Sequence, residues 1–101
     1  MKFNLNTEQY ELINKNIVEP IEAIGAKVYC YGSRARGDNH PFSDLDLMIE
    51  PSSGVEINPG PYLEFVEKSN FPYKVDLVCL PEFAEAYLEG YQRDKIPYKA
   101  L

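Results

Sequence analysis

The chain has 101 residues, of which 45% are hydrophobic and 26% charged, and thirteen are aromatic. That supports one buried core and leaves no room for a second module, so a single domain over residues 1–101 is expected. A net charge of −6 argues against an extended nucleic-acid footprint, because counterion release needs many Lys and Arg set against phosphates.

Residues Met1 to Tyr10 contain no basic stretch followed by an apolar run, and no segment reaches the roughly 18 apolar residues of a membrane span. A cytoplasmic protein without membrane association is therefore expected. The two cysteines, Cys30 and Cys79, sit inside apolar strand-like runs and not at metal-ligand spacing, which makes them reduced core residues.

Asn6 or Thr7 can cap a first helix. Tyr10, Ile13, Ile17, Ile21 and Ile24 then recur at spacings of three and four and draw one apolar stripe. Pro20 removes a backbone donor and crowds the carbonyl of Asn16, which predicts a kink or break near Asn16 to Glu19, and Gly25 suits the C-cap. Lys27 to Tyr31 reads as the first strand, ending at Gly32, and a short helix after Ser33 carries Arg34 to Gly37. Asn39, His40, Pro41 and Ser43 form a turn-rich bridge into a second strand, Asp44 to Glu50. The two-residue period there places Asp44, Asp46 and Met48 on one face and Leu45, Leu47 and Ile49 on the other.

Pro51 to Pro61 reads as a surface loop. Tyr62, Phe65 and Val66 mark a helix ending near Asn70, and Tyr73 to Leu80 reads as a third strand, in which Asp76 alternates with Val75 and Leu77. Phe83 to Tyr91 is expected to be a last helix with Ala84, Tyr87 and Leu88 inward. The final ten residues show no period. The clustering of Tyr87, Tyr91 and Tyr98 fits either a partner surface or closure of the last helix onto the sheet. The order of elements implies an α/β (α+β) layer, a small mixed sheet of three to four strands with helices on one face and the other face open for a site.

Chemistry concentrates in Gly32-Ser33-Arg34-Ala35-Arg36-Gly37 and Ser43-Asp44-Leu45-Asp46-Leu47. A Gly-Ser turn leaving a strand can offer amides and a hydroxyl to an anion, and two Asp one residue apart suit a hard divalent cation. Asp44 and Asp46, about 6.5 Å apart along a strand, project from one face. Asp76 is an isolated acid in an apolar strand, costly to bury without a cation or donor, and so should emerge at the same site. Three such acids could bind two Mg²⁺ ions about 4 Å apart. Arg36, and less directly Arg34, could fork onto phosphate, while His40 and Lys74 read as solvent-side residues.

Together Gly32-Ser33, ten intervening residues, Asp44-x-Asp46 and the later Val75-Asp76-Leu77-Val78 resemble the minimal nucleotidyltransferases (MNT) of the DNA polymerase β superfamily, from about residue 7 to 90. The resemblance implies a polymerase β-like nucleotidyltransferase fold. By it, Asp44 and Asp46 would bind both metals and Asp76 would complete the catalytic metal's shell. Gly32 and Ser33 would hold the β- and γ-phosphates of ATP, and AMP would pass to a hydroxyl with release of pyrophosphate.

The chain lacks the helical acceptor-binding domain of many superfamily members and looks like the small subunits that work with a separately encoded helical, HEPN-like protein. That implies a hetero-oligomer in which a nucleotidyltransferase antitoxin attaches AMP to a tyrosine of its toxin partner. Two alternatives carry different expectations: the catalytic subunit of a two-protein transferase acting on a small hydroxylated molecule, or an antitoxin that neutralises its partner by contact alone. The intact set Ser33, Asp44, Asp46 and Asp76 argues against the last, since a pure binder has no physical need for three acids on one face.

Overall fold

The computed structural model describes residues 2–99; Met1, Ala100 and Leu101, which the expected span of 1–101 includes, lie outside the described residues. A capping box opens the first helix: the Gln9 amide donates to Asn6 Oδ1 at 2.8 Å and the Asn6 amide donates to Gln9 Oε1 at 2.9 Å, satisfying two end donors reciprocally. Helix α1 (Thr7–Ile13) runs into a π-helical stretch (Asn14–Val18) and then α2 (Glu19–Ala23). The expected kink is thus a widened turn, with the Glu19 amide donating to the Asn14 carbonyl, which accommodates the proline ring at Pro20 without ending the helix. Ile13, Ile17 and Ile21 are fully buried, but the stripe does not extend to Ile24, which is 52% exposed. There the backbone leaves helical geometry at the C-cap (φ −101, ψ 12), and Gly25 follows with φ +101.

Strand β1 (Ala26–Tyr31) leads into α3 (Gly32–Arg36), then β2 (Leu45–Pro51), α4 (Gly60–Lys68) and β3 (Val75–Cys79). The sheet order is β3-β2-β1-β4, where β4 is the two-residue strand Ile96–Pro97. β1 and β2 are antiparallel, with Tyr31 opposite Asp46. β2 and β3 are parallel, with Asp46 opposite Asp76. This is the mixed sheet the sequence leads one to expect. Val28, Cys30, Leu45, Leu47, Ile49, Leu77 and Cys79 bury one face against Ile13, Ile17, Ile21 and Val66. Both cysteines are free and buried, as expected.

The C-terminal third departs from expectation. Residues 80–94 form two 3₁₀ turns, Leu80–Glu82 and Glu85–Tyr87, before α5 (Leu88–Asp94). Pro81, which lacks an amide donor, sits in the first of these turns, and the helix starts five residues later than predicted. Its inward residue is Tyr91, whereas Tyr87 is 68% exposed and Leu88 and Ala84 also face solvent. The second sheet face is therefore only partly open. Tyr91 donates its hydroxyl to Glu50, and the Lys95 ammonium lies 4.6 Å from the Tyr29 ring centre, so α5 and its flank cover the part of that face that carries Tyr29, Tyr31 and Glu50. Tyr98 goes elsewhere: fully buried, it stacks on Tyr10 at 4.7 Å and Phe3 at 5.3 Å and donates its hydroxyl to the Tyr10 carbonyl at 2.9 Å. Among the described residues no helix is long and apolar enough to cross a membrane.

Candidate active site

Three adjacent strands each deliver one residue to a single row: Tyr31 from β1, Asp46 from β2 and Asp76 from β3, directly opposite one another in the ladders. Neighbouring strands lie about 4.8 Å apart, so the two carboxylates are held as close neighbours by backbone pairing alone. At the end of β1 the chain turns at Gly32, whose φ of +74 favours glycine. A Cβ built there would come within 2.5 Å of Asp46 Oδ2. A side chain at this turn would therefore force the Asp46 carboxylate to move.

A cleft of about 440 Å³ opens at this point, within the roughly 300–1,000 Å³ of small-molecule sites. Gly32, Arg36, Asp46 and Asp76 line it, together with Tyr31 and residues from the α5 region. Ser33 and Asp44 do not line the cleft. Ser33 is the second residue of α3, where its carbonyl accepts the Gly37 and Asp38 amides at 2.8 and 3.1 Å, and no side chain caps the N-terminus of this short helix. Asp44 is exposed immediately ahead of β2. Ser43 shapes that approach, its hydroxyl accepting the His40 amide at 2.8 Å; His40 itself is exposed.

Burial, with the charges of Asp76 and then Asp44 adding to it, pushes the Asp46 carboxyl up to about 6. Burial also raises the Tyr31 phenol, with Asp46 and Asp76 contributing. Among the described residues no Lys or Arg forms an ion pair with Asp44, Asp46 or Asp76. Asp46 is half-buried and repelled by Asp76 and Asp44, and the charges of Arg36 and Lys74 offset this only in part, so the acids fit a hard divalent ion that would compensate them. The donor set is all oxygen, as Mg²⁺ requires. The geometry brings Asp46 and Asp76 together first; among the described residues no three acids, His or Cys form a ready-made cage.

The two arginines of the turn have opposite fates. Arg34 is buried; its Nε donates to the Ser43 carbonyl at 3.0 Å and its Nη1 to those of Phe3 and Asn4 at 3.0 and 3.2 Å, while its guanidinium lies 4.1 Å from the Tyr73 ring centre. It clamps the N-terminal turn to the loop before β2, so the expectation that it meets phosphate is not met. Arg36 lines the cleft, with Nε on Asp38 and Nη1 on Asp94, both at 3.0 Å. Its Nη2 has no partner among the described residues. Arg93 and Arg36 hold the Asp94 carboxyl below the usual range.

Sequence reasoning missed the α5 side of the cleft, formed by Phe83, Tyr87, Tyr91, Arg93 and Asp94. The signal was the spacing of Phe83, Tyr87 and Tyr91, four residues apart each time. It was obscured because the turn before α5 breaks the helical period.

A sheet with strand-borne acids in register beside a glycine turn defines a class, and comparison with known proteins places the chain in it. Residues 11–98 match the nucleotidyltransferase domain family model, so the chain belongs to that family and is a nucleotidyltransferase. Among solved structures it is similar to a toxin-antitoxin structure with AMP-PNP, at 20% identity and a TM-score of 0.63, covering 96% of this chain and 75% of that one. A candidate nucleotidyltransferase from Sulfolobus solfataricus matches at 22% identity and a TM-score of 0.42, covering 89% and 82% of the two chains. Comparison with curated proteins gave no significant match.

Proposed function

We propose that the chain transfers AMP from ATP, with Mg²⁺, to a hydroxyl of a separately encoded HEPN-like helical protein, a tyrosine being the acceptor, and that the pair works as toxin and antitoxin. The observation that carries this is the row Tyr31, Asp46, Asp76 with Gly32 pressed against Asp46. A fold has no structural reason to set two acids without an ion-pair partner side by side. A fold that handles a triphosphate and its cations has one.

In this proposal Asp44, Asp46 and Asp76 hold two Mg²⁺ ions. When bound, the ions supply charge neutralisation along the triphosphate and lower the pKa of the attacking hydroxyl. The Gly32 amide and the Ser33 hydroxyl and amide take the β- and γ-phosphate oxygens at the start of α3. Arg36, braced by Asp38 and Asp94, offers Nη2 to the same phosphates. The acceptor oxygen forms a bond to the α-phosphorus as the bond to the departing pyrophosphate breaks, and its proton passes to the Asp76 carboxylate. The chain acts as one domain over residues 1–101, in the cytoplasm, as a hetero-oligomer with its partner and without membrane or extended nucleic-acid contacts. The fold-level likeness to a toxin-antitoxin structure with AMP-PNP supports a toxin-antitoxin pair and an adenine nucleotide.

The test is incubation with Mg²⁺, ATP and the protein encoded next to it, followed by mass spectrometry. One AMP added to a partner tyrosine, abolished by Asp44→Ala with Asp46→Ala, is the expected result. Label on a small molecule alone would identify a two-protein transferase with a different acceptor. Partner inhibition that persists in the double variant without transfer would establish neutralisation by contact.

A further inference from the structure

The α5 side of the cleft carries three aromatic rings, Phe83, Tyr87 and Tyr91, and a fourth, Tyr31, joins them from β1. Phe83 is the hub: its ring centre lies 5.7 Å from Tyr31, 5.9 Å from Tyr91 and 6.3 Å from Tyr87. Tyr31, Phe83 and Tyr91 meet edge to face, Tyr31 and Tyr91 at 5.2 Å and 89°, an arrangement that aromatic quadrupoles favour. These three rings satisfy one another. Tyr87 has Phe83 as its only ring neighbour among the described residues, is 68% exposed and lines the same cleft as Asp46 and Asp76.

We propose that Tyr87 and Phe83, backed by Tyr31 and Tyr91, form the seat of the donor's nucleobase, and that the base is held by stacking and not by hydrogen bonds to its edge. The inference rests on the reading above that this cleft takes a nucleoside triphosphate. Its basis is continuity. Tyr31 is the residue before Gly32 and sits opposite Asp46, so the aromatic wall begins where the phosphate turn begins. A ligand anionic at one end and flat and apolar at the other matches this sequence of surfaces.

Stacking is favoured over edge readout because the wall offers mainly ring faces. Tyr91 gives its hydroxyl to Glu50, and Arg93 Nε and Arg36 Nη1 both donate to Asp94, which turns these groups toward one another. Ring area then sets affinity, so purines bind better than pyrimidines and adenine is scarcely separated from guanine. Base-on-aromatic stacking is tolerant of base identity for the same reason.

The test measures equilibrium binding, which needs no acceptor. ATP, GTP, CTP, UTP and inorganic triphosphate are titrated in Mg²⁺ buffer against the wild type, Tyr87→Ala and Tyr87→Phe. Tyr87 is exposed, so neither substitution endangers folding. ATP and GTP are expected within about threefold of each other and tighter than CTP and UTP; Tyr87→Ala weakens ATP by roughly tenfold, Tyr87→Phe restores it, and triphosphate binding does not change. The proposal is overturned if ATP binds no better than triphosphate, if adenine is strongly preferred over guanine, or if Tyr87→Ala leaves nucleotide binding intact and weakens only partner binding. If triphosphate and every nucleotide fail to bind, the triphosphate reading falls and this inference with it. If triphosphate binds and the base adds nothing, only the inference falls.

Discussion

Asp46 Oδ2 lies 2.5 Å from the point where a β-carbon on Gly32 would stand, so a side chain at the turn after β1 would displace the central acid of the sheet. Gly37 provides the control, because its φ of +87 is equally left-handed yet nothing lies within 4 Å of its missing β-carbon. Gly37→Ala should cost about 1–3 kcal/mol of stability from backbone strain alone, a fall in Tm of about 4–8 °C per kcal/mol. Gly32→Ala should lose at least as much stability and, in addition, displace Asp46 and abolish transfer. Thermal melts and transfer assays on the two variants, side by side, separate strain from occlusion; equal residual activity would contradict that displacement.

Asp46 is held against its own electrostatics. Its folded carboxyl is raised from 3.8 to about 6, first by burial and then by Asp76 and Asp44, so the folded chain holds that proton more tightly than the unfolded one. The resulting stabilisation is full below about pH 4 and is lost as pH rises to about 6. Asp46→Asn should therefore raise the Tm of the metal-free protein by a few degrees near pH 7.5, flatten that part of the pH profile and eliminate transfer. A variant less stable than the wild type throughout would show that Asp46 contributes to the fold.

Arg34 and Arg36 sit two residues apart in one motif and should fail in different ways. Arg34→Met leaves the buried carbonyl of Phe3 and the part-buried carbonyls of Asn4 and Ser43 without this donor and should cost about 2 kcal/mol in denaturant melts. Arg36→Met breaks only exposed pairs. It should change stability by less than about 1 kcal/mol while raising the KM for the nucleotide. A swapped pattern, with Arg36 carrying the stability, would contradict the assignment.

Burial pushes the Cys30 thiol up to about 12, with the Asp46 charge adding to it, and its side chain is fully buried. In the native state near pH 8 it should resist an aromatic disulfide reagent and react only after denaturation. Rapid labelling of Cys30 in the native state would show that β1 opens far more readily than its pairing implies.

What the sequence disclosed was local. The capping residue Asn6, the strand period that puts Asp46 and Leu47 on opposite faces and the Gly32 turn all depend on neighbours a few residues away. Asp76 was legible for a different reason, because a lone acid between Val75 and Leu77 has no place in a core. The roles of Arg34 and Arg36 were not legible, since what separates them is the arrival of Phe3 and Asn4 from about 30 positions earlier. Nor was the Phe83, Tyr87, Tyr91 wall, because 3₁₀ turns around Pro81 shift the helix and hide the period. Strand β4 has two residues and no propensity signal; β1 and the burial of Tyr98 against Tyr10 fix it.

Transfer of a nucleotidyl group by the Gly32, Asp46 and Asp76 site can be followed atom by atom. The most direct measurement uses ATP labelled at the α-phosphate in one reaction and at the γ-phosphate in another, with Mg²⁺ and the protein proposed above as partner. Label should reach the proposed partner from the α-position only, with pyrophosphate as co-product, and both should be lost with Asp44→Ala plus Asp46→Ala or with Asp76→Ala. Label from the γ-position, or α-label undiminished in those variants, would contradict transfer by this site.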